Sequence, residues 1–461
     1  MTSSDMIRPR AFRVFFEDFN IWSVGSFYRA DWAWPQEYIK PLSAALKRKQ
    51  IEVDRKEHLL ETLQLVTLHF DGSMEPRNID GKNQFKGRLN FANAGDVIYS
   101  KIDVRNGAIG IVPQSMSCVA VSSEYPVYEV RPNVALSQYI QLLFRTDNFR
   151  QTINSMISGA SGRKRVQPSQ IESLKVPLPP LSVQRAIVTR WHKAQKEIEK
   201  ARWRAERHRA DIEKSLFDDL GLKSPKLKTP PSSFAVLWED FLRWSVSYSQ
   251  TILSGTDLTC GKYSVVPLGS ILELVQYGTS EKANTTREGT PIIRMNNIVE
   301  GLLDLSKIKH IKLSNNEREK LLLKGGDILF NRTNSKELVG KCAVFHEKGD
   351  YVFASYLIRI RVSPSEADPD YVAYIINSPI GRQQIDAMSR QIIGQANINS
   401  EELRGLQIPL PPLDVQQTIA RRVKEGRAEI AHELENADRE ASEAKAEVEA
   451  LILGTKKLGD L

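Results

Sequence analysis

Two stretches of the chain read PLPPLSVQ at residues 177–184 and PLPPLDVQ at residues 409–416, 232 residues apart. The same spacing relates YIQLLFRTDNFRQTIN at 139–154 to YVAYIINSPIGRQQID at 371–386. Over residues 139–187, 15 of 49 positions are identical to their partners 232 residues later, whereas random pairing would give about three. A repeat of roughly 230 residues is too long for a solenoid unit, so the chain is a duplicated domain.

Each copy follows the same order of elements. FEDFNIWSV at 16–24 echoes WEDFLRWSV at 238–246, and GDVIYS at 95–100 corresponds to GDILFN at 326–331. Short β-rich runs after these Gly-Asp turns predict strands, and the apolar spacing that follows predicts a helix in each copy. The prolines of PLPPL end the last strand. The predicted strands are Val97–Tyr99, Ala108–Val112, Cys118–Val121 and Val127–Val130, and then Ile328–Phe330, Lys341–Phe345, Tyr351–Ser355 and Ile358–Val362.

A long helix is predicted after each PLPPL motif. Ser182 and Asp414 stand where a helix cap is needed, and small or apolar residues then recur at coiled-coil spacing. Residues 185–214 carry ten basic and five acidic side chains, whereas residues 414–447 carry six basic and nine acidic ones. Opposite charges beside a shared seam predict that the helices pair; two independent solvated helices are the alternative. The seam residues are Ala194, Ile198, Ala201, Ala205 and Ile212, and Ile430, Leu434, Ala437, Ala441, Ala444, Val448 and Leu451.

The sequence therefore predicts an α+β fold, in which two repeated mixed α/β bodies are separated by two long antiparallel helices that form a coiled coil. The predicted divisions are a first body with an N-terminal lead segment at 1–180, spacer helix 1 at 181–220, a linker at 221–234, a second body at 235–412 and spacer helix 2 at 413–454.

Composition narrows the class of protein. The chain has 461 residues, a formal net charge of +8 and only three cysteines, which neither form a disulfide framework nor have zinc-ligand spacing. We find no signal-peptide pattern and no run of apolar residues long enough for a membrane span. We therefore expect a cytoplasmic protein with no membrane partner. The basic balance favours a polyanionic partner such as nucleic acid.

Motifs of known catalytic sites are missing from the sequence. It has no phosphate-binding loop of the G-x-x-x-x-G-K-[ST] type, no G-x-G-x-x-G, no H-E-x-x-H, no G-x-S-x-G and no NPPY- or DPPY-type methyltransferase motif. The polar positions that match between the copies, such as Gln184 and Gln416, suit structural hydrogen bonding better than acid–base chemistry. We therefore expect no catalytic residue and no metal site in this chain.

These features together resemble the specificity subunits of Type I restriction–modification systems. The resemblance lies in VPLPPLSVQ and IPLPPLDVQ before the long helices, in GDVIYSKIDVRNGAIGIV at 95–112 and in YGTSEKANTTREGTPIIRMNNI at 277–298. Copy one lacks a clear counterpart of the last stretch. The resemblance implies two target-recognition domains that read the two halves of an asymmetric DNA site, with the helices setting the gap between them. It also implies methyltransferase (M) subunits that use S-adenosylmethionine and restriction (R) subunits that use ATP and Mg, with no cofactor bound by this chain.

Base edges in the major groove are read by Arg, Lys, Asn and Gln side chains. Such residues cluster in loops at matching places in the two copies, and the two sets differ in composition, as reading two different half-sites requires. The candidate DNA-binding residues are Lys101, Arg105, Asn106, Arg163, Lys164, Arg165 and Gln167 in copy one, and Arg294, Asn296, Asn297, Asn331, Arg332, Asn334, Lys336, Gln395, Asn397 and Asn399 in copy two.

Two alternatives to a DNA reader remain open from sequence. A scaffold that joins two protein-binding domains through paired helices explains the duplication equally well, but not the basic loops. An unrecognised enzyme with a degenerate site is the other alternative. Steep loss of DNA affinity with rising salt favours the DNA reader over the scaffold, and methylation by the purified chain alone would indicate the enzyme.

Overall fold

A computed structural model describes residues 32–54, 63–77, 87–116, 119–155, 165–223, 256–286, 288–388, 390–392 and 395–457. The chain divides into two compact units: unit 1 is Met1–Lys200 with Asn436–Leu461, and unit 2 is Ala201–Glu435. The echoes predicted at 16–24 and 238–246, and nearly all of the linker predicted at 221–234, lie outside the described residues.

Unit 1 is built around two four-stranded sheets. Their strand orders are β2-β9-β6-β7 and β4-β3-β8-β5, and β1 pairs with β10 in a separate two-stranded sheet. All pairs are antiparallel except β3 with β8. The strands are β1 (Ile39–Pro41), β2 (Leu46–Lys49), β3 (Gln64–Leu68), β4 (Met74–Pro76), β5 (Leu89–Ala92), β6 (Val97–Tyr99), β7 (Ile109–Ile111), β8 (Val119–Ser122), β9 (Val127–Val130) and β10 (Lys175–Pro177), and the shorter helices are α1 (Ser137–Arg145), α2 (Asp147–Ser155) and α3 (Pro168–Glu172).

Unit 2 repeats this plan and adds strands to it. Its four-stranded sheet has the order β12-β21-β17-β19, and β11 pairs with β24; smaller sheets are β16-β13-β20, β14-β15 and β18-β23-β22. The strands are β11 (Val265–Pro267), β12 (Leu272–Tyr277), β13 (Thr290–Ile293), β14 (Ile298–Val299), β15 (Leu302–Leu303), β16 (Lys309–Ile311), β17 (Ile328–Asn331), β18 (Thr333–Asn334), β19 (Cys342–Val344), β20 (Val352–Phe353), β21 (Leu357–Val362), β22 (Arg390–Ile392), β23 (Gln395–Asn397) and β24 (Gln407–Pro409), and the shorter helices are α5 (Asn315–Leu321), α6 (Pro369–Asn377), α7 (Pro379–Met388) and α8 (Ser400–Arg404).

The Gly-Asp turns have the same geometry in both units. Gly95 and Gly326 both have a φ of 88°, a conformation that glycine adopts without steric cost. The aspartates that follow these glycines are buried, and each forms a salt bridge: Asp96 with Lys49 (2.7 Å) and Asp327 with Arg361 (2.6 Å). The duplicated motif therefore places a buried, ion-paired carboxylate directly before β6 in unit 1 and directly before β17 in unit 2.

In each unit, a buried glutamine connects the PLPPL motif by hydrogen bonds to another segment of the chain. Gln184 Oε1 accepts from the Leu136 N–H (2.9 Å), and Gln184 Nε2 donates to the carbonyls of Val134 (2.9 Å) and Pro179 (2.8 Å). Gln416 makes the matching bonds with Asp368 (2.9 Å), Glu366 (3.0 Å) and Pro411 (2.8 Å). All of these partners are 232 residues apart, so the structural role predicted for the two glutamines is confirmed.

The two long helices are α4 (Leu181–Leu220) and α9 (Leu413–Leu453). Both begin directly after the second proline of PLPPL, so the expectation that Ser182 and Asp414 cap them is wrong. The carbonyls of Pro180 and Pro412 already accept from the N–H groups of the first turn, which places Ser182 and Asp414 inside the helices. The predicted seam is largely buried, with only Ile212, Leu434 and Ala441 partly exposed.

The helices are antiparallel within each unit. In unit 1, Arg190 near the start of α4 pairs with Glu447 near the end of α9 (2.7 Å). In unit 2, Arg204 pairs with Glu433, and Asp219 near the end of α4 pairs with Arg422 near the start of α9. Each pair joins a base of one helix to an acid of the other, so the predicted charge complementarity and the predicted fold class are confirmed.

The main hydrophobic core of each unit includes the C-terminal end of one long helix, α9 in unit 1 and α4 in unit 2. Val448, Leu451 and Ile452 of α9 belong to the main core of unit 1, and Leu216, Phe217 and Leu220 of α4 belong to the main core of unit 2. Burial of several large aliphatic side chains contributes roughly 1.5–3 kcal/mol for each. Apolar packing therefore anchors both ends of both helices.

Candidate nucleic-acid interface

Three chain segments meet at the same place in both units, next to the Gly-Asp strand. In unit 1, the Lys101 N–H donates to the Glu124 carbonyl (3.0 Å), and the Lys101 carbonyl accepts from the Val166 N–H (2.8 Å). In unit 2, the Arg332 N–H donates to the Tyr356 carbonyl (3.0 Å), and the Arg332 carbonyl accepts from the Ile398 N–H (2.9 Å). We call these sites loop junction 1 (residues 101, 124 and 165–167) and loop junction 2 (residues 332, 356 and 397–399).

The side chains of loop junction 1 form an exposed charged group. Arg165 Nε donates to Glu124 Oε2 (2.9 Å), and both side chains are exposed. Arg105 and Asn106 are also exposed, on the short 3-10 turn Val104–Asn106 that follows Lys101. Gln167 stands before α3, where its N–H donates to Gln170 Oε1 (2.8 Å). Arg163 and Lys164 lie outside the described residues.

Loop junction 2 has an arginine that lies against an aromatic ring. The Arg332 guanidinium carbon lies 4.8 Å from the centroid of the Tyr277 ring, and Arg332 Nη2 donates a long bond to Asn397 Oδ1 (3.5 Å). The Tyr277 hydroxyl accepts from the Ser400 N–H (3.0 Å), which ties the last residue of β12 to the first residue of α8. Tyr277 is 40% exposed and Tyr356 is 51% exposed. The structure therefore brings together the predicted residues Arg332 and Asn397.

Three of the predicted asparagines have structural roles. Asn297 is 3% exposed and donates to the Asp304 carbonyl (2.8 Å), and Asn331 is 2% exposed and donates to the Leu338 carbonyl (3.2 Å). Asn399 is the N-cap of α8, with its side chain accepting from the Glu402 N–H (2.8 Å). These side chains shape the loops, and their amides already bond to protein groups.

Four other predicted residues of unit 2 have side chains that are half-buried or exposed. Arg294 is half-buried, with Nη2 3.4 Å from the Lys307 carbonyl, and Asn296 is exposed beside it. Asn334 is half-buried on β18, and Lys336 is exposed in the following turn. Gln395 is the first residue of β23, which pairs with β18 and so places residues 333–334 beside 396–397. β22 and β23 thus form a strand pair, and α8 follows directly after Asn399.

Sequence reasoning missed Tyr277, Tyr356 and Glu124 as site residues. Tyr277 begins the YGTSEKANTT stretch, but its stacking partner lies 55 residues away in the chain. Glu124 and Tyr356 are 232 residues apart. Aligning the copies position by position outside their identical motifs would have matched these two residues to each other.

Two other arginines near the sheets are committed to the fold. Arg359 is 5% exposed, donates to the carbonyls of Leu322 (2.6 Å) and Lys320 (3.0 Å), and lies 3.5 Å from Asp327. Burial lowers the pKa of the Arg359 guanidinium, and the nearby Asp327 carboxylate opposes that shift. Burial also lowers the pKa of Arg145, which donates to the Gly107 carbonyl (3.0 Å). These cations hold strands and loops in place and are not available to a partner.

Within the part of the chain that the structure describes, no group of His, Cys, Asp and Glu side chains has the arrangement of a metal site. Of the helices that can be described, none combines the length and the apolar character that crossing a bilayer requires.

Comparison with known proteins identifies the family. The Type I restriction modification DNA specificity domain matches the chain twice, over residues 73–205 and 261–437, and together these matches cover more than half of it. The two matches fall on the two copies of the repeat. The chain therefore belongs to the family of Type I restriction–modification specificity subunits.

Individual relatives match parts of the chain. The type I restriction enzyme MjaX specificity subunit of Methanocaldococcus jannaschii is 30% identical over 161 residues, which are 34% of this chain and 38% of the relative. The EcoKI specificity subunit of Escherichia coli K12 is 24% identical over 300 residues, which are 64% of this chain and 60% of the relative. These matches thus span about two fifths and three fifths of the relatives' lengths.

A solved structure shares the fold over most of the chain. It comes from work on complex assembly and conformational transition of the type I R-M system, and it aligns with a TM-score of 0.55 at 16% sequence identity. The alignment covers 90% of this chain and 95% of the other. At this identity the likeness concerns the fold alone.

Proposed function

We propose that this chain is the non-catalytic DNA-recognition subunit of a Type I restriction–modification complex and that it reads an asymmetric site made of two half-sites. One observation carries the proposal: the loop junctions have the same backbone hydrogen bonds and different side chains, all of them at least partly exposed. Lys101, Glu124 and Arg165 in unit 1 correspond to Arg332, Tyr356 and Asn397 in unit 2. A duplicated frame that carries different polar groups is what reading two different sequences requires.

The residue types at the junctions suit duplex DNA. Arg and Lys bind guanine O6 and N7, Asn binds adenine, and carboxylates accept from cytosine N4. Exposed lysines such as Lys336 would instead contact phosphates, which adds affinity without sequence information. The formal net charge of +8 supports binding to a polyanion.

The proposed partners follow from family membership. Methyltransferase (M) subunits that hold S-adenosylmethionine would modify adenines at the site, and restriction (R) subunits that hold ATP and Mg would act on unmodified DNA. A methyltransferase must flip its target base out of the duplex, and it therefore benefits from a subunit that positions it beside that base. We propose that this chain supplies position and sequence preference, while its partners supply all of the chemistry.

Substitution of a loop-junction residue tests the two-half-site proposal. We expect Arg332→Ala to lower discrimination between bases by roughly tenfold or more at one half-site. The preference at the other half-site should not change, because Arg332 lies in unit 2 and each unit is proposed to read its own half-site. Selection from a randomised duplex library, with the chain co-purified with its methyltransferase partner, measures both preferences at once. Equal loss at both half-sites would contradict the proposal.

Insertion into the long helices tests whether their length sets the gap between half-sites. One heptad added to both α4 and α9 keeps the seam in phase and adds about 10 Å of helix at 1.5 Å per residue, the length of about three base pairs at 3.4 Å each. We expect the recognised gap to lengthen, and a heptad in α9 alone to weaken assembly. An unchanged gap after the double insertion would refute this role for the helices.

A further inference from the structure

The guanidinium of Arg332 is oriented from several directions. Its backbone is held at both ends, by the Tyr356 carbonyl and by the Ile398 N–H. Its guanidinium carbon lies over the Tyr277 ring, 4.8 Å from the ring centroid, and Asn397 Oδ1 contacts Nη2 at 3.5 Å. Asn397 is itself oriented by Thr333, whose hydroxyl donates to the same oxygen (3.3 Å). An arginine restrained in this way loses little conformational entropy when it binds a planar partner.

Most of the hydrogen-bonding capacity of Arg332 is unused within the described residues. A guanidinium has five N–H donors, and only Nη2 has an acceptor among the side chains and carbonyls that the structure describes. Arg332 Nε is buried and has no partner there. A buried donor without an acceptor is costly, so a ligand that supplies one would stabilise this arrangement.

The Tyr277 ring is itself fixed in place. Its residue pairs with Ile358 at the end of β12, and its hydroxyl accepts from the Ser400 N–H at the start of α8. Asn399 caps that helix through the Glu402 N–H (2.8 Å). The ring is therefore tied to the same chain segment that carries Asn397, so Arg332 and Asn397 are positioned together.

We propose that Arg332 is a specificity-determining residue that reads the O6 and N7 edge of a guanine in the half-site of unit 2, and that Tyr277 is the positioning residue that holds its guanidinium in plane. This inference rests on the proposed function. Arginine binds guanine through two parallel N–H groups, which requires an oriented plane. A phosphate contact needs charge rather than a fixed plane, and a lysine would supply it equally well.

Loop junction 1 has no stacked guanidinium at the position that corresponds to Arg332. Its equivalent residue is Lys101, an ammonium without a planar fork, and its neighbour Arg165 is engaged by Glu124 at 2.9 Å. The two half-sites should therefore differ in chemistry at this position. Guanine read by a stacked arginine is expected only for the half-site of unit 2.

The test uses conservative variants of the full chain, co-purified with its methyltransferase partner. Arg332→Lys keeps the charge and removes the fork; we expect discrimination against the non-guanine bases at one position of one half-site to fall about tenfold or more, with the salt dependence of binding unchanged. Tyr277→Leu should cause a smaller loss, about threefold to tenfold, at the same position. Tyr277→Phe, which keeps the ring, should restore most of the preference.

Arg318→Lys is the matched control, because Arg318 lies in the same unit and pairs with Asp350 away from the loop junction. It should leave the preference unchanged. Equal weakening for all sequences in Arg332→Ala, with base preference retained in Arg332→Lys, would identify a phosphate contact and overturn the inference. Tyr277→Leu lowering thermal stability without changing base preference would overturn it as well. If the unaltered chain shows no two-part sequence preference, the proposed function itself fails; if the preference is present and Arg332→Lys retains it, only this inference fails.

Discussion

The two loop junctions share the same backbone hydrogen bonds and differ in their side chains. In unit 1 the side chains are a half-buried lysine and an exposed ion pair between Arg165 and Glu124, whereas in unit 2 they are a half-buried arginine stacked on Tyr277 beside Asn397. The frame is held by buried groups that the duplication retains, among them the two aspartates and the two glutamines. Under the proposed function, stability and recognition therefore depend on different residues, and substitutions can separate them.

The largest expected effect is loss of a buried aspartate, and here the units should differ. Asp327→Ala leaves Arg361 and the buried Arg359 without their carboxylate, and we expect a loss of about 3–5 kcal/mol in the free energy of unfolding, as for broken buried ion pairs. Asp96→Ala should cost less, because it leaves only one cation, Lys49, without its carboxylate, and the Lys49 side chain keeps some access to solvent. Urea denaturation of both variants measures the difference. Equal losses would show that the two carboxylates are energetically equivalent.

A second, nearly equal effect should come from the buried glutamines. Gln184→Ala and Gln416→Ala each leave one backbone N–H and two carbonyls without a partner, and we expect a loss of about 3 kcal/mol in each unit. Hydrogen exchange resolves the loss unit by unit. Gln417→Ala, at an exposed position one residue further on, is the control and should change stability by less than about 0.5 kcal/mol. A clearly unequal pair would contradict the shared frame.

The smallest effect concerns the pH dependence of an acidic side chain of α9 in unit 1, Glu447, which pairs with Arg190 of α4. A hydrogen bond from Lys456, assisted by Arg190, lowers the pKa of the Glu447 carboxyl. A lowered folded-state pKa stabilises the fold above the unfolded pKa, and this stabilisation disappears as the pH falls through the folded pKa. We expect Glu447→Gln to cost less than about 1 kcal/mol at pH 7 and to differ progressively less from the unaltered chain in increasingly acidic solution. Thermal denaturation as a function of pH checks this, and a constant difference would contradict it.

Several elements followed from local pattern. The strands Val97–Tyr99 and Val127–Val130 have the predicted bounds, and Asp368 caps α6 through the Tyr371 N–H. These elements depend on the spacing of apolar residues and on turn chemistry, which are local properties. The long helices begin at Leu181 and Leu413, so Ser182 and Asp414 lie inside them rather than capping them, because the carbonyls of Pro180 and Pro412 accept the first helical hydrogen bonds.

The candidate site was less predictable, because residue type does not report burial. Asn297, Asn331 and Asn399 have the same type as Asn397, yet the first two are buried and the third caps a helix. The extra strand pair of β22 and β23 also arises from long-range pairing with β18 rather than from a strong local pattern.

The sequence by itself determined the duplication and the paired long helices and predicted a polyanionic partner, because repeat spacing, heptad periodicity and net charge are properties of the chain as written. Only the tertiary structure decided which polar residues meet. Tyr277, Arg332 and Asn397 are brought together by strand register and by a hydrogen bond across 123 residues, from the Ser400 N–H to the Tyr277 hydroxyl. Such contacts depend on the packing of the whole unit, since no local spacing encodes them.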